Sequence, residues 1–206
     1  MELFDFIFHI DDYLAKIIYI FGYWTYLILF LIIFVETGLV IMPFLPGDSL
    51  LFAIGTLSAN NFLNIWIVYF VVLVAAILGD TVNYWIGSRL GPKVFYKEDS
   101  LFFNKAYLEK TKLFYEKHGS KTIIIARFLP IIRTFAPFVA GVGSMHYRTF
   151  LIYNIVGAFI WVTSLLFLGY FFGTLTFVKN NFEYVIIGII ILSILPIIVE
   201  YIRHRK

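Results

Sequence analysis

Glu36-Thr37-Gly38-Leu39-Val40-Ile41-Met42-Pro43-Phe44-Leu45-Pro46-Gly47-Asp48 and Ala126-Arg127-Phe128-Leu129-Pro130-Ile131-Ile132-Arg133-Thr134-Phe135-Ala136-Pro137-Phe138-Val139-Ala140-Gly141 are the stretches whose reading decides the fold. Each is an apolar run broken by proline, glycine and charge, and the two occupy corresponding places in the two halves of the chain. Irregular backbone at membrane depth is tolerated only where protein or a wet cavity encloses it, because its freed N–H and C=O groups need partners. A matched pair of interrupted hydrophobic segments points to a transporter-type binding site. The first break carries carboxylates and the second carries guanidinium groups.

Composition sets the class. Of 206 residues, 61% are hydrophobic, 20% aromatic and only 14% charged, with a mean hydropathy of +0.90. No soluble domain of this size needs so much apolar surface. Residues 65–88, 149–176 and 184–200 suit the roughly 20 residues that a membrane-crossing helix requires. The acidic N-terminus and the lack of a small-residue cleavage site predict no cleavable signal peptide. With no cysteine in the chain, disulfides, thiolate catalysis and thiolate metal sites are excluded. The net charge of +3 gives no case for nucleic acid, since the basic residues flank apolar spans, where topology explains them.

The basic residues also set the orientation. They concentrate in Arg89, Lys93, Lys97, Lys105, Lys110, Lys112, Lys117 and Lys121, and again in Arg203 to Lys206, so both regions are expected on the cytoplasmic face. Working back from a cytoplasmic C-terminus, residues 182–202 and 148–176 each cross the membrane. Residues 122–143 then enter and leave on the cytoplasmic side as a re-entrant hairpin. The 64–90 span carries the chain to the opposite face, where residues 24–59 form a second hairpin. Residues 91–121 form a basic cytoplasmic segment with an amphipathic helix beginning near Asn104. At the start of the chain, Asp5, His9, Asp12 and Lys16 share one helical face, which suggests an interfacial helix over 1–22. As a spanning helix it would place aspartates in hydrocarbon at about 2.5 to 3.5 kcal/mol each.

The expected fold is all-α: a polytopic membrane domain over 1–206 with two opposed re-entrant hairpins in an inverted repeat. Weak internal similarity supports the repeat. Phe52-Ala53-Ile54-Gly55-Thr56-Leu57-Ser58 matches Phe138-Val139-Ala140-Gly141-Val142-Gly143-Ser144, and the following spans end in the small-residue pairs Gly87/Gly91 and Gly169/Gly173. Those pairs suit close helix packing within one chain or between copies in a homo-oligomer.

The chemistry is read from charges that cannot easily reach water. Pro46 and Gly47 mark one enclosed bend, Pro130 and Pro137 the other. Asp48 fits a helix cap as well as it fits a proton site. Glu36 follows an apolar run with no turn to explain it, and a buried carboxylate changes charge with what enters its cavity; a structural ion pair with an arginine is the competing reading. Arg127 and Arg133 flank Pro130, so a helix broken there directs both toward one cavity. Their planar donor forks match phosphate oxygens, although buried pairing with Glu36 and Asp48 alone is weak evidence for function. Asp80, with Asn83 and Tyr84 a turn later, forms a secondary polar site that reads first as a helix–helix hydrogen-bond cluster. Asn154, Thr163 and Ser164 read as polar glue, and the aromatic residues as packing or interfacial belts. No histidine pair has metal-ligand spacing, so no metal and no cofactor is expected.

At these positions the chain resembles the DedA family of bacterial inner-membrane proteins, which share their membrane domain with VTT-type lipid scramblases. The resemblance rests on Glu36-Thr37-Gly38 and Pro46-Gly47-Asp48-Ser49, on Gly79-Asp80 with Tyr84 and Gly87, and on Arg127 through Arg133-Thr134-Phe135 with Pro137 and Ala140-Gly141. It implies translocation of undecaprenyl phosphate or of a phospholipid such as phosphatidylethanolamine, supported by the proton gradient. It also implies that Glu36 and Asp48 are the acidic pair and Arg127 and Arg133 the essential arginines. The expectation is therefore a non-enzymatic lipid transporter of the bacterial inner membrane that binds a lipid phosphate and exchanges protons. A proton-coupled antiporter for a small ion or drug is the alternative. A lipid phosphatase would need a nucleophile and base that the apolar core does not offer, and an assembly factor would tolerate neutral replacements at the charged positions.

Overall fold

The computed structural model of the protein describes residues 20–39, 47–90, 105–181, 184, 185 and 188. Every regular element among them is helical: α1 (Trp24–Gly38), α2 (Gly47–Ala59), α3 (Ile65–Leu90), α4 (Lys105–His118), α5 (Thr122–Ala126), α6 (Pro130–Val142), α7 (Tyr147–Thr174) and α8 (Thr176–Asn180), with a 3-10 turn at Gly119–Lys121. The expected interfacial helix up to residue 19, Pro46 with the bend at 40–46, the 91–104 part of the basic segment and nearly all of the 182–202 span lie outside the described residues.

Two helices carry the membrane signature. α3 has 26 residues and α7 has 28, about 39 and 42 Å at 1.5 Å per residue, longer than the roughly 30 Å hydrocarbon core. Asn64 starts α3 by accepting the backbone N–H groups of Trp66 and Ile67, a side-chain N-cap. The two helices are turned inside out relative to a soluble protein. Trp66, Phe70, Val74 and Leu78 of α3 and Ile152, Phe159 and Leu168 of α7 are exposed, whereas Asp80, Asn83 and Asn154 are buried. α1, α2 and α6 are equally apolar, but at 15, 13 and 13 residues they reach only about 20 to 23 Å.

The chain divides into two compact units. One comprises Met1–Ile28, Pro46–Phe70 and Thr163–Lys206; the other comprises Leu29–Leu45 and Val71–Val162. In the first, α2 meets α7 glycine to glycine. A Cβ on Gly55 would overlap the Leu166 carbonyl, and one on Gly169 would overlap the Phe52 carbonyl. Thr56 Oγ1 donates to the Gly169 carbonyl at 3.1 Å across the same crossing. Near it, the Tyr69 and Thr163 hydroxyls join α3 to α7 at 3.0 Å, and Trp66 meets Phe167.

In the second unit α6 meets α3 in the same way. A Cβ on Gly87 would overlap the Phe138 carbonyl, and one on Gly141 the Tyr84 carbonyl. Phe52 and Gly55 thus face Leu166 and Gly169 as Phe138 and Gly141 face Tyr84 and Gly87. In lipid, where apolar burial between helices gives little, such close backbone approach supplies the packing energy. α1 also leans on α3 here, since a Cβ on Gly79 would strike the Thr37 hydroxyl. α3 and α7 run in opposite directions within this unit, Asn154 lying beside Ile77 and Phe150 beside Tyr84. The basic helix α4 packs Leu108 and Tyr115 against Phe135, Phe138, Val139 and Val142 of α6.

Two expectations are corrected. Pro137 does not break the chain: α6 runs through it to Val142, losing one backbone bond while its neighbours stay packed. The 148–176 span ends at Thr174, and α8 restarts at Thr176 after an extended Leu175.

Gly87→Leu and Gly169→Leu should each lower the unfolding temperature in detergent, overpacking of this kind costing about 1 to 3 kcal/mol or more. A melt at the parent temperature for both would show that the crossings carry no packing energy.

Candidate functional site

Pro130 builds the site. A residue before proline is pushed out of the helical region, and Leu129 accordingly sits at φ −120° and ψ 104°. α5 therefore stops at Ala126. The backbone turns through Arg127-Phe128-Leu129 on bonds to the carbonyls three residues back, and α6 starts with proline in its first turn, where its missing N–H is harmless. The turn leaves Arg127 between two helices and puts Arg133 one turn into the second.

Arg127 is only 2% exposed. Its Nη2 donates to Asp80 Oδ2 at 2.5 Å and to Asn154 Oδ1 at 2.6 Å. Asn154 is itself oriented, since its Nδ2 donates to the Ile77 carbonyl at 3.0 Å and so turns its oxygen toward the guanidinium. Arg127 Nε and Nη1 are buried with no hydrogen-bond partner among the described residues. Gly157 lets α7 pack closely on this side chain: a Cβ there would stand 3.1 Å from Nε.

Arg133 lies in the same unit, with Nη2 3.1 Å from Glu36 Oε1. The buried Trp161 ring supports both cations, 4.2 Å from the Arg133 guanidinium carbon and 5.8 Å from that of Arg127. A ring face attracts a cation without adding a negative charge. The backbones carrying Glu36 and Arg133 are clamped by Asn83, whose Nδ2 donates to the Thr37 carbonyl at 3.2 Å and the Thr134 carbonyl at 2.9 Å. Each acceptor directly follows one member of the ion pair. The result is a buried cluster of Glu36, Asp80, Arg127 and Arg133 whose formal charges balance.

The structure thus brings together Glu36, Arg127 and Arg133 and adds Asp80. Arg127 is held by Asp80 and Asn154, where the sequence suggested Glu36 and Asp48 as the arginines' partners. Asp48 is exposed in the first turn of α2, in the other unit, with Gly47 buried beside it. A carboxylate there suits the helix dipole. Tyr84 does not join the charges. It stacks on Phe150 at 4.4 Å and donates to the Met145 carbonyl, so the pairing of Asp80 with Tyr84 as one polar site divides in two. Tyr115 of α4 donates to the Ala136 carbonyl at 2.8 Å; burial, and secondly the Asp80 carboxylate, push its phenol well above the usual range, so it stays a donor.

Asn154, read from sequence only as polar glue, and Trp161, read only as packing or belt, were not anticipated as members of the cluster. Their signal lay in position: both sit well inside α7, where a belt aromatic or a surface amide has no reason to be.

Comparison with known proteins follows this geometry. Residues 45–171 match the VTT domain, a stretch that contains every charged member of the cluster except Glu36. The chain is 55% identical to protein DedA of Escherichia coli strain K12 over 206 residues, covering 99% of this chain and 94% of that one. It belongs to the DedA family. Within the family it is 34% identical to the inner membrane protein YqjA of the same strain over 148 residues, 72% of this chain and 67% of the relative. It is 30% identical to the inner membrane protein YghB of Salmonella typhimurium over 170 residues, 82% and 78% of the two. No solved structure matches it. As a DedA-family membrane protein it holds α3 and α7 in lipid, which accounts for their apolar exteriors and polar interiors.

Asn83→Ala should destabilise the protein by about 1 to 3 kcal/mol, by stranding two carbonyls, as read by thermal unfolding in detergent. Gly157→Ala should hold the parent melting temperature within a few degrees yet crowd Arg127 Nε. Unchanged stability in the first would remove Asn83 from its clamping role.

Proposed function

We propose that this DedA-family protein is a lipid transporter in which Arg127 and Arg133 bind the phosphate of a lipid headgroup within the membrane. The observation that carries the reading is Arg127, buried at 2% exposure while Nε and Nη1 lack hydrogen-bond partners among the described residues. Guanidinium has five N–H donors, and leaving buried donors unmade is expensive. An oxyanion satisfies them, and phosphate matches their geometry. Undecaprenyl phosphate and phospholipids such as phosphatidylethanolamine offer that group on a chain that stays in the bilayer.

The balanced charges of the cluster supply the coupling. An anion entering beside Glu36 and Asp80 adds unopposed negative charge in a medium that screens it poorly, so a proton on a carboxylate favours its binding. Glu36 is the first proton carrier proposed, and Asp48 is retained as a second, outside the cluster's unit. The same balance favours one rival, a proton-coupled antiporter for a small ion or drug that leaves the arginines purely structural. Transport is proposed over lipid hydrolysis because both buried carboxylates are already engaged by guanidinium groups.

The proposed architecture is an inverted repeat, with α1–α2 and α5–α6 as re-entrant hairpins entering from opposite faces. Its support is the repeated glycine crossing at Gly55/Gly169 and Gly141/Gly87. Kinship with YqjA and YghB, both named as inner membrane proteins, favours the bacterial inner membrane, and the basic C-terminus favours a cytoplasmic end.

In proteoliposomes carrying undecaprenyl phosphate or phosphatidylethanolamine, Arg127→Ala and Arg133→Ala should each slow translocation at least about tenfold, since truncating a buried charged contact costs roughly 2 to 5 kcal/mol. Parent rates in both variants would exclude the arginines from the mechanism. Glu36→Gln should lose its response to an imposed pH gradient. A cation that drives proton efflux from liposomes lacking either lipid would favour the antiporter.

A further inference from the structure

We infer that Asp80 is the counter-ion that an incoming lipid phosphate displaces from Arg127, and that the site takes up a proton on Asp80 as it does so. The inference rests on the phosphate reading above and assigns one of its moving parts. Asp80 stands on α3, while the cation it holds stands on the turn between α5 and α6, so their bond can open without breaking either helix.

The geometry favours exchange at this pair. Asp80 and Asn154 both engage Nη2, whereas Nε and Nη1 are buried with no hydrogen-bond partner among the described residues. A phosphate oxygen that settles on Nε or Nη1 therefore approaches the same small cation as the Asp80 carboxylate. Asn154 is anchored to the Ile77 carbonyl and stays an acceptor for Nη2 when Asp80 lets go. Arg127 thus keeps one neutral partner through the exchange.

The groups facing Asp80 fix the sign of the effect. Arg127 and Arg133 lie within its electrostatic reach from the α5–α6 segment, Tyr115 from α4, and Glu36 of α1 stands on Arg133; α7 contributes the neutral Asn154 and Trp161. With two cations and two carboxylates in place, a bound phosphodiester leaves the cluster one charge too negative, and like charges raise a carboxylate's affinity for protons. Binding then takes up a proton, so affinity must rise as pH falls. Asp80 acts on the lipid through Arg127, as a positioning residue.

Short-chain phosphatidylglycerol is the probe, because its phosphodiester charge does not titrate in the range tested. Its binding to the full-length protein in detergent should strengthen by up to about tenfold per pH unit on acidification, the limit for one linked proton. Proton uptake in weak buffer should approach one per lipid bound. Asp80→Asn should bind about tenfold more tightly than the parent at alkaline pH, with a flat pH profile, and Asp80→Glu should restore the slope. Weaker binding by Asp80→Asn with the parent slope would overturn the inference, as would parent binding without proton uptake, a measurement that needs no variant to fold. Absence of binding by the parent at every pH would instead remove the phosphate reading itself.

Discussion

A guanidinium shut inside a helical membrane protein cannot discard its charge, and the second unit is arranged around that constraint. Lysine or a carboxylate in such a place neutralises itself, whereas arginine stays protonated and must be surrounded. Arg127 is surrounded by a carboxylate on α3, an amide on α7, an indole ring and a closely packed glycine. Three segments distant in sequence are thereby committed to one another. Removing any one leaves a charge in a poorly polarisable medium, an error of several kcal/mol rather than a fraction of one.

What carries that cluster is close backbone packing. Gly87 against Phe138 and Gly141 against Tyr84 bring α6 onto α3, and Gly79 against Thr37 brings α1 onto the same helix. α3 is therefore the common support for both arginine-bearing and glutamate-bearing segments. Asp80 and Asn83 project from the stretch between these contacts, which is why one amide can reach carbonyls on both neighbours. The other unit repeats the crossing at Gly55 and Gly169 without a comparable charge cluster among its described residues, and binds it with Thr56 instead.

Much of this was legible before any coordinates. Long apolar runs gave α3 and α7 because lipid demands a run of fixed length. Pro130 gave the break because its ring forbids a helical predecessor. The Phe-x-x-Gly repeat was visible as letters and proved to be a repeated contact. Pro137 misled because proline inside a short, well-packed helix removes one bond without ending it. The partners of Arg127 were less legible. Glu36 stood out by interrupting an apolar run, but Asp80 sits beside Asn83 and Tyr84 and looked like part of their cluster. Which carboxylate meets which arginine depends on helix rotation, which a pattern of residue types does not record. Trp161 was hidden among 24 phenylalanines, 14 tyrosines and three other tryptophans, and only its depth within α7 distinguished it.

The clamp formed by Asn83 bears on how large a movement the site needs. Because the carbonyls beside Glu36 and Arg133 are tied to one amide, the main chain at the ion pair is held to a single spacing. Separating that pair while the clamp holds is a matter of side-chain torsions, which turn over in picoseconds to nanoseconds when unhindered, and not of helices sliding over microseconds to milliseconds. Any opening of the ion pair under this clamp is therefore measured in ångströms.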